Sequence, residues 1–181
     1  MGATRGTSYF EDFRVGMEFH HRRSRTVAQE ENARWSLVTM NTAQAHWNHE
    51  AMRTYLDGRF DRPIVNAAIV LGISVGLTSE DISENIFADV GLDAVRLTKP
   101  VFGGDTLSAK SVILETADDP TTPHSARVRY RISVSNQAGA AVGTLERIVL
   151  IKRRSEWQER DAAFVKSHWP RADAQRGEPS R

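Results

Sequence analysis

Two side chains in one short segment, Asn41-Thr-Ala-Gln-Ala-His46, are the best candidates for chemistry in this chain. An imidazole can donate or accept a proton near neutral pH, so His46 suits general acid/base work. A neutral amide cannot take that proton, but Asn41 can orient a water by accepting a hydrogen bond from it. The intervening loop is short enough for both groups to converge on one small substrate. A plainer reading stands beside this one: the two residues cap and pack a loop. Glu50 lies about one helical turn beyond His46 and is a second possible acid.

The segment lies between helical stretches. Ala28–Thr39 carries Ala33, Trp35, Leu37 and Val38 among charges and reads as a helix. Asn48 is a plausible N-cap for a helix from His49 to about Leu56, ended by Asp57-Gly58. Pro63 then opens the most apolar stretch, Ile64–Thr78, which has no charged residue. Its length favours helix over strand. Its small residues, Ala67, Ala68, Gly72, Ser74 and Gly76, would let a neighbour pack close. A helix apolar all round must be buried on every side.

Strand candidates flank these helices: Met17–Val27 before them, then Phe87–Leu97, Thr106–Glu115, Ser125–Val134 and Val142–Ile151. Val128, Tyr130, Ile132 and Val134 alternate with Arg127, Arg129, Arg131 and Ser133, as in a half-exposed antiparallel strand. The order suits an α+β architecture, an antiparallel sheet curled round one long buried central helix. Glu156–His168 reads as a short surface helix, and Arg171–Arg181 is too polar to fold alone. The division expected is a domain over 1–154 and a C-terminal tail over 155–181.

Composition narrows the classes. A chain of 181 residues, 40% hydrophobic and 26% charged, can bury a core without disulfides, and it has no cysteine for thiolate chemistry. A net charge of +1 gives no bulk attraction to nucleic acid or anionic membranes. No apolar run is long enough to span a bilayer, and Met1–Phe13 lacks the apolar core of a secretory signal, so the cytoplasm is the default location. His49-Glu50-Ala51-Met52-Arg53 imitates a zinc-protease helix, but Arg53 stands where the second His belongs. No metal is expected there, and His46 with His49 lacks an obvious third ligand. His20-His-Arg-Arg23 and the three arginines of 127–131 are basic and raise a nucleic-acid reading, but the second set alternates along one strand face and is more often a solvated sheet surface. Lys99 or Lys152, with some of these, are candidates to meet phosphates.

Three ordered motifs carry a family resemblance. Tyr9-Phe-Glu-Asp-Phe with Val15-Gly16, Pro63-Ile-Val-Asn66-Ala67, and Arg96-Leu-Thr-Lys-Pro-Val-Phe-Gly-Gly-Asp-Thr-Leu107 resemble those of the MaoC-like dehydratases, R-specific enoyl-CoA hydratases of the hotdog superfamily. The resemblance covers roughly residues 9–153. The stretch from Asp81-Ile-Ser-Glu-Asn through Gly91 also resembles the branch that hydrates mesaconyl- or itaconyl-type CoA thioesters.

The resemblance places His46 on the family's catalytic His, Asn41 on its Asp and Gln44 on a usual proline. Asn66 falls on a His, and Ala67 on the Gly that opens the central helix. It implies a hotdog fold, a homodimer or larger homo-oligomer, and an acyl-CoA thioester as partner. CoA would enter only as part of the substrate, with no separate cofactor. The implied reaction interconverts a 2-enoyl-CoA and a 3-hydroxyacyl-CoA, with His46 as acid/base and Asn41 positioning water. The thioester oxygen would be held at the start of the central helix, near Asn66, Ala67 and Ala68. The rival readings are a hotdog acyl-CoA thioesterase, against which Asn66 offers no carboxylate, and a non-catalytic acyl-CoA-binding subunit.

Overall fold

The structure, a computed structural model, describes residues 8–168. Its strands are β1 (Glu18–Thr26), β2 (Ile86–Leu97), β3 (Thr106–Asp118), β4 (Ser125–Ser135) and β5 (Ala141–Lys152). They form one antiparallel sheet in the order β1-β3-β4-β5-β2. The helices are α1 (Gln29–Val38), α2 (His49–Met52), α3 (Ala67–Gly76) and α4 (Arg154–His168).

The alternation along β4 has the expected effect. Val128, Tyr130, Ile132 and Val134 are buried, and the intervening Arg127, Arg129, Arg131 and Ser133 face outward. Each large apolar side chain hidden in this way contributes about 1.5–3 kcal/mol of transfer free energy. The buried β4 residues join Leu107 and Ile113 of β3 and Ile69, Val70 and Ile73 of α3 in one core. On the outer face, Glu146 accepts from Arg129 Nε at 2.8 Å and Arg131 Nη2 at 2.8 Å, while Arg129 also reaches Asp93 at 2.9 Å. These pairs neutralise most of the arginine stripe.

The central helix is shorter than the apolar run. Ile64 and Val65 are extended: the Ile64 N–H donates to the Ala45 carbonyl at 2.9 Å, the Val65 N–H to the Val101 carbonyl at 2.8 Å, and Ile64 bridges to Phe102. Helical torsions begin only after Asn66, the N-cap. At the other end, the Thr78 and Ser79 hydroxyls donate to the carbonyls of Val75 and Gly76. Periodicity cannot distinguish a buried extended lead-in from the first turn of a buried helix.

One expectation about burial is corrected, and a second helix departs from its hydrophobicity. The sheet covers only one side of α3, and Ala67, Ala68, Gly72 and Gly76 stay exposed on the other. Those side chains have little apolar area to hide. Helix α1 is turned contrary to its hydrophobicity: Asn32 and Ser36 are fully buried, whereas Trp35, Leu37 and Val38 are 54%, 59% and 67% exposed. The second helix also stops early, at Met52. A 3₁₀ turn follows over Tyr55–Gly58, with Leu56 and Asp57 at positive φ.

Helix α4 begins two residues before the expected Glu156 and is fastened to the domain. Lys152 Nζ donates to Asp161 at 2.8 Å, the Tyr9 hydroxyl donates to the same carboxylate at 3.1 Å, and Trp157 packs on Phe87. Burial and the Asp161 carboxylate push the Tyr9 phenol up to about 12. The polar stretch Arg171–Arg181 lies outside the described residues.

Candidate active site

The segment after α1 forms a tight loop. The Asn41 N–H donates to the Ser36 carbonyl at 2.8 Å, and Asn41 Oδ1 accepts the Ala43 N–H at 3.1 Å. A 3₁₀ turn over Gln44–His46 follows. His46 Nδ1 lies 2.8 Å from the Ile64 carbonyl oxygen. That oxygen can only accept, so Nδ1 carries a proton, and in the neutral ring Nε2 is left with the lone pair. The imidazole is thus anchored to the extended lead-in of the central helix.

At the start of α3, Asn66 Oδ1 accepts the Ala68 N–H at 3.0 Å, an ordinary N-cap bond. Of the two main-chain donors expected here, Ala68 is therefore already engaged. Ala67 opens the helix, where an N–H has no carbonyl one turn behind it to serve. The helix dipole adds to its pull on negative charge.

His46 and Ala67 share one cleft. It has a volume of about 430 Å³, and its walls include Tyr55, Phe60, Val101 and Lys99. Among the described residues, no Asp or Glu lines it. The arrangement puts an imidazole and the residue that opens α3 on the walls of one mostly apolar space. Asn66 serves as cap behind that wall. Asn41 is not among the lining residues, and its oxygen accepts a hydrogen bond within its own loop. Glu50 points to solvent with Arg53 and is no substitute acid for His46.

The other candidates separate. No group of three metal-binding side chains occurs among the described residues. Lys152 is committed to Asp161 and stacks on Trp157. Lys99 is exposed and lines the cleft. The His20–Arg23 run divides: His20 and Arg22 are exposed, Arg23 pairs with Glu80, and His21 turns inward between Asp81 (2.7 Å) and Ser111 (2.8 Å).

Sequence reasoning missed Asn32. Its Nδ2 donates to the carbonyls of His46 and Ile64 at 2.7 and 3.1 Å, and its Oδ1 accepts the Asn66 N–H at 2.8 Å. A polar pair four residues apart on one face of α1, Asn32 and Ser36, was the available signal.

Comparison with known proteins bears on the family and the fold. The family described as MaoC like domain matches residues 11–135. A mesaconyl-CoA hydratase of Cereibacter sphaeroides is 31% identical over 151 residues, spanning 83% of this chain and 43% of that protein. The chain thus spans less than half the length of that relative. A monoamine oxidase regulatory protein from Archaeoglobus fulgius superposes with a TM-score of 0.70 at 28% identity, over 81% of this chain and 95% of the other. A Mycobacterium tuberculosis protein with a double hotdog fold superposes with a TM-score of 0.73 at 16% identity, over 84% of this chain and 46% of the other. The likeness establishes the hotdog fold for the sheet and its central helix. With the family matching 125 of 181 residues (11 to 135), the chain belongs to the MaoC-like domain family.

Proposed function

We propose that this chain is a hydratase/dehydratase that interconverts a 2-enoyl-CoA and a 3-hydroxyacyl-CoA. The supporting observation is the shared cleft, lined by both His46 and Ala67, the residue that opens α3. In the hydration direction, Nε2 of His46 takes a proton from water as the oxygen attacks the β-carbon. The electron pair of the double bond moves toward the thioester carbonyl, and the Ala67 N–H holds the resulting enolate oxygen. The imidazolium then returns a proton to the α-carbon, so water is consumed and the ring regains its starting state.

The placement of Asn41 favours loop construction over water positioning. Lys99 supplies the attraction for a phosphate of CoA. The relative named mesaconyl-CoA hydratase supports a CoA thioester as substrate. The absence of a carboxylate on the cleft walls counts against a thioesterase that uses one. A homodimer fits the exposed apolar residues of edge strand β2, Phe87, Val90, Leu92, Val95 and Leu97. A cytoplasmic location accompanies this reading, and no helix among the described residues is long and apolar enough to cross a membrane.

The test is a panel of enoyl-CoA thioesters, crotonyl- and mesaconyl-CoA included, followed by loss of the conjugated-thioester absorbance. Turnover that falls by about 10²–10⁴-fold in His46→Ala is the expected result. Binding of the thioesters without turnover, unchanged in His46→Ala, would identify a binding subunit instead.

A further inference from the structure

Helix α1 directs two amides at one carbonyl. Asn32 Nδ2 reaches the His46 carbonyl oxygen at 2.7 Å, and Gln29 Nε2 reaches it at 3.2 Å. Asn32 is completely buried, so its hydrogen-bonding groups answer only to protein. Its second amide proton goes to the Ile64 carbonyl at 3.1 Å, the same oxygen that accepts from His46 Nδ1 at 2.8 Å. Its own oxygen holds the Asn66 N–H at 2.8 Å. One side chain therefore bonds to the residue bearing the imidazole, the residue orienting that imidazole, and the residue capping the helix that begins at Ala67.

We propose that Asn32, assisted by Gln29, is a positioning residue that fixes the ring angle and tautomer of His46 relative to the first turn of α3. The inference rests on the reading of His46 as the acid/base. A carbonyl oxygen offers two lone-pair directions. Asn32 occupies one at Ile64, so the imidazole is directed to the other. The bond to the His46 carbonyl holds the backbone from which the ring springs. The bond to Asn66 keeps the N-cap, and with it the Ala67 N–H, in register with the same anchor. Few side chains can do this. Asp has no donor and would bring a charge into the interior, and Ser is short, with a single donor. The reversed polarity of α1 follows: the helix buries Asn32 because three backbone groups at the junction need partners away from water.

The experiment compares Asn32→Ser, Asn32→Asp, Gln29→Met and His46→Ala in the full chain. Kinetics on crotonyl- and mesaconyl-CoA are combined with ¹⁵N NMR of the histidine side chains, which reports the tautomer without requiring turnover. The parent should show His46 protonated at Nδ1. The Asn32 variants should lose about 10²-fold in kcat, as expected for a displaced catalytic group, with KM nearly unchanged, and should show mixed His46 tautomers. Gln29→Met should lose about 2- to 10-fold, the equivalent of one neutral hydrogen bond. Folded Asn32→Ser protein with parental kcat and a parental tautomer would reduce Asn32 to a fold-holding role and overturn the proposal. If neither Asn32 variant folds, Gln29→Met decides: unchanged kcat and tautomer overturn the proposal, and a loss in both supports it. Near-parental turnover in His46→Ala would remove the acid/base reading itself, an outcome distinct from any of these because the tautomer spectra still report whether the clamp exists.

Discussion

The oxyanion donor can be deleted without dismantling the helix that supplies it, by Ala67→Pro. Ala67 is the first helical residue, the position at which proline is best tolerated because its missing N–H has no helical partner. Asn66, with φ −57° and ψ 133°, already has the extended conformation that a residue before proline prefers. The Asn66 cap onto the Ala68 N–H is retained. Stability should therefore be close to that of the parent. Activity should not be: removing one preorganised oxyanion donor costs about 10²–10³ in kcat, or about 2.7–4 kcal/mol. The Ala68 N–H is already engaged by Asn66, which makes replacement by the next donor along the turn unfavourable. Ala67→Gly, which keeps the N–H, is the control and should stay within about threefold of the parent. Initial rates on crotonyl- and mesaconyl-CoA, with thermal unfolding of each variant, make the measurement. An Ala67→Pro protein with unchanged unfolding temperature and kcat within a few-fold of the parent would show that the thioester oxygen is held elsewhere.

Other perturbations read separate parts of the structure. Asn41→Asp should fold and leave kcat within about threefold, because the carboxylate can still accept the Ala43 N–H and the position is off the cleft walls; a large rise in initial rate would place residue 41 in the catalytic step. Lys99→Ala should raise KM for CoA thioesters by up to about fivefold, the scale of an exposed ion pair, and the difference should shrink with added salt. His21→Leu strands the Ser111 hydroxyl and removes a partner of Asp81, so denaturant unfolding should show a loss of about 1–3 kcal/mol. Hydrogen bonding from Arg131, opposed in part by burial and aided by Arg129, holds the Glu146 carboxyl below its usual 4.5. Its stabilising contribution is present above that value and disappears as pH falls through the lower folded-state pKa. Glu146→Gln should accordingly flatten the acid limb of urea midpoints measured between about pH 3 and pH 7.

Much of the architecture was legible because period and burial coincide in the strands. The alternation from Arg127 to Val134 allows only one face to enter the core, so β4 followed from residue type. His46 was likewise legible as a chemical group, and the motif around Pro63 located the start of the buried rod. Hydrophobicity alone did not give the helix boundary, since Ile64 and Val65 are as apolar in an extended bridge as in a helix, whereas the resemblance put the opening at Ala67, where the helix begins. Helix α1 misled for a related reason. Hydrophobicity predicts which face avoids water, but Asn32 faces inward where two carbonyls and an N–H from distant segments converge, and Ser36 accepts the Asn66 side-chain amide beside it at 3.4 Å.

The order of residues determined the strand pattern, the apolar rod and the presence of one well-placed imidazole. Tertiary structure decided which nitrogen of that ring is free, that Asn41 and Glu50 stand apart from the cleft, and that Ala67 rather than Ala68 presents the available N–H. The physical reason is that pattern along a chain records the preference of each side chain for water or its absence. The direction of a hydrogen bond depends on groups that folding brings together from far apart.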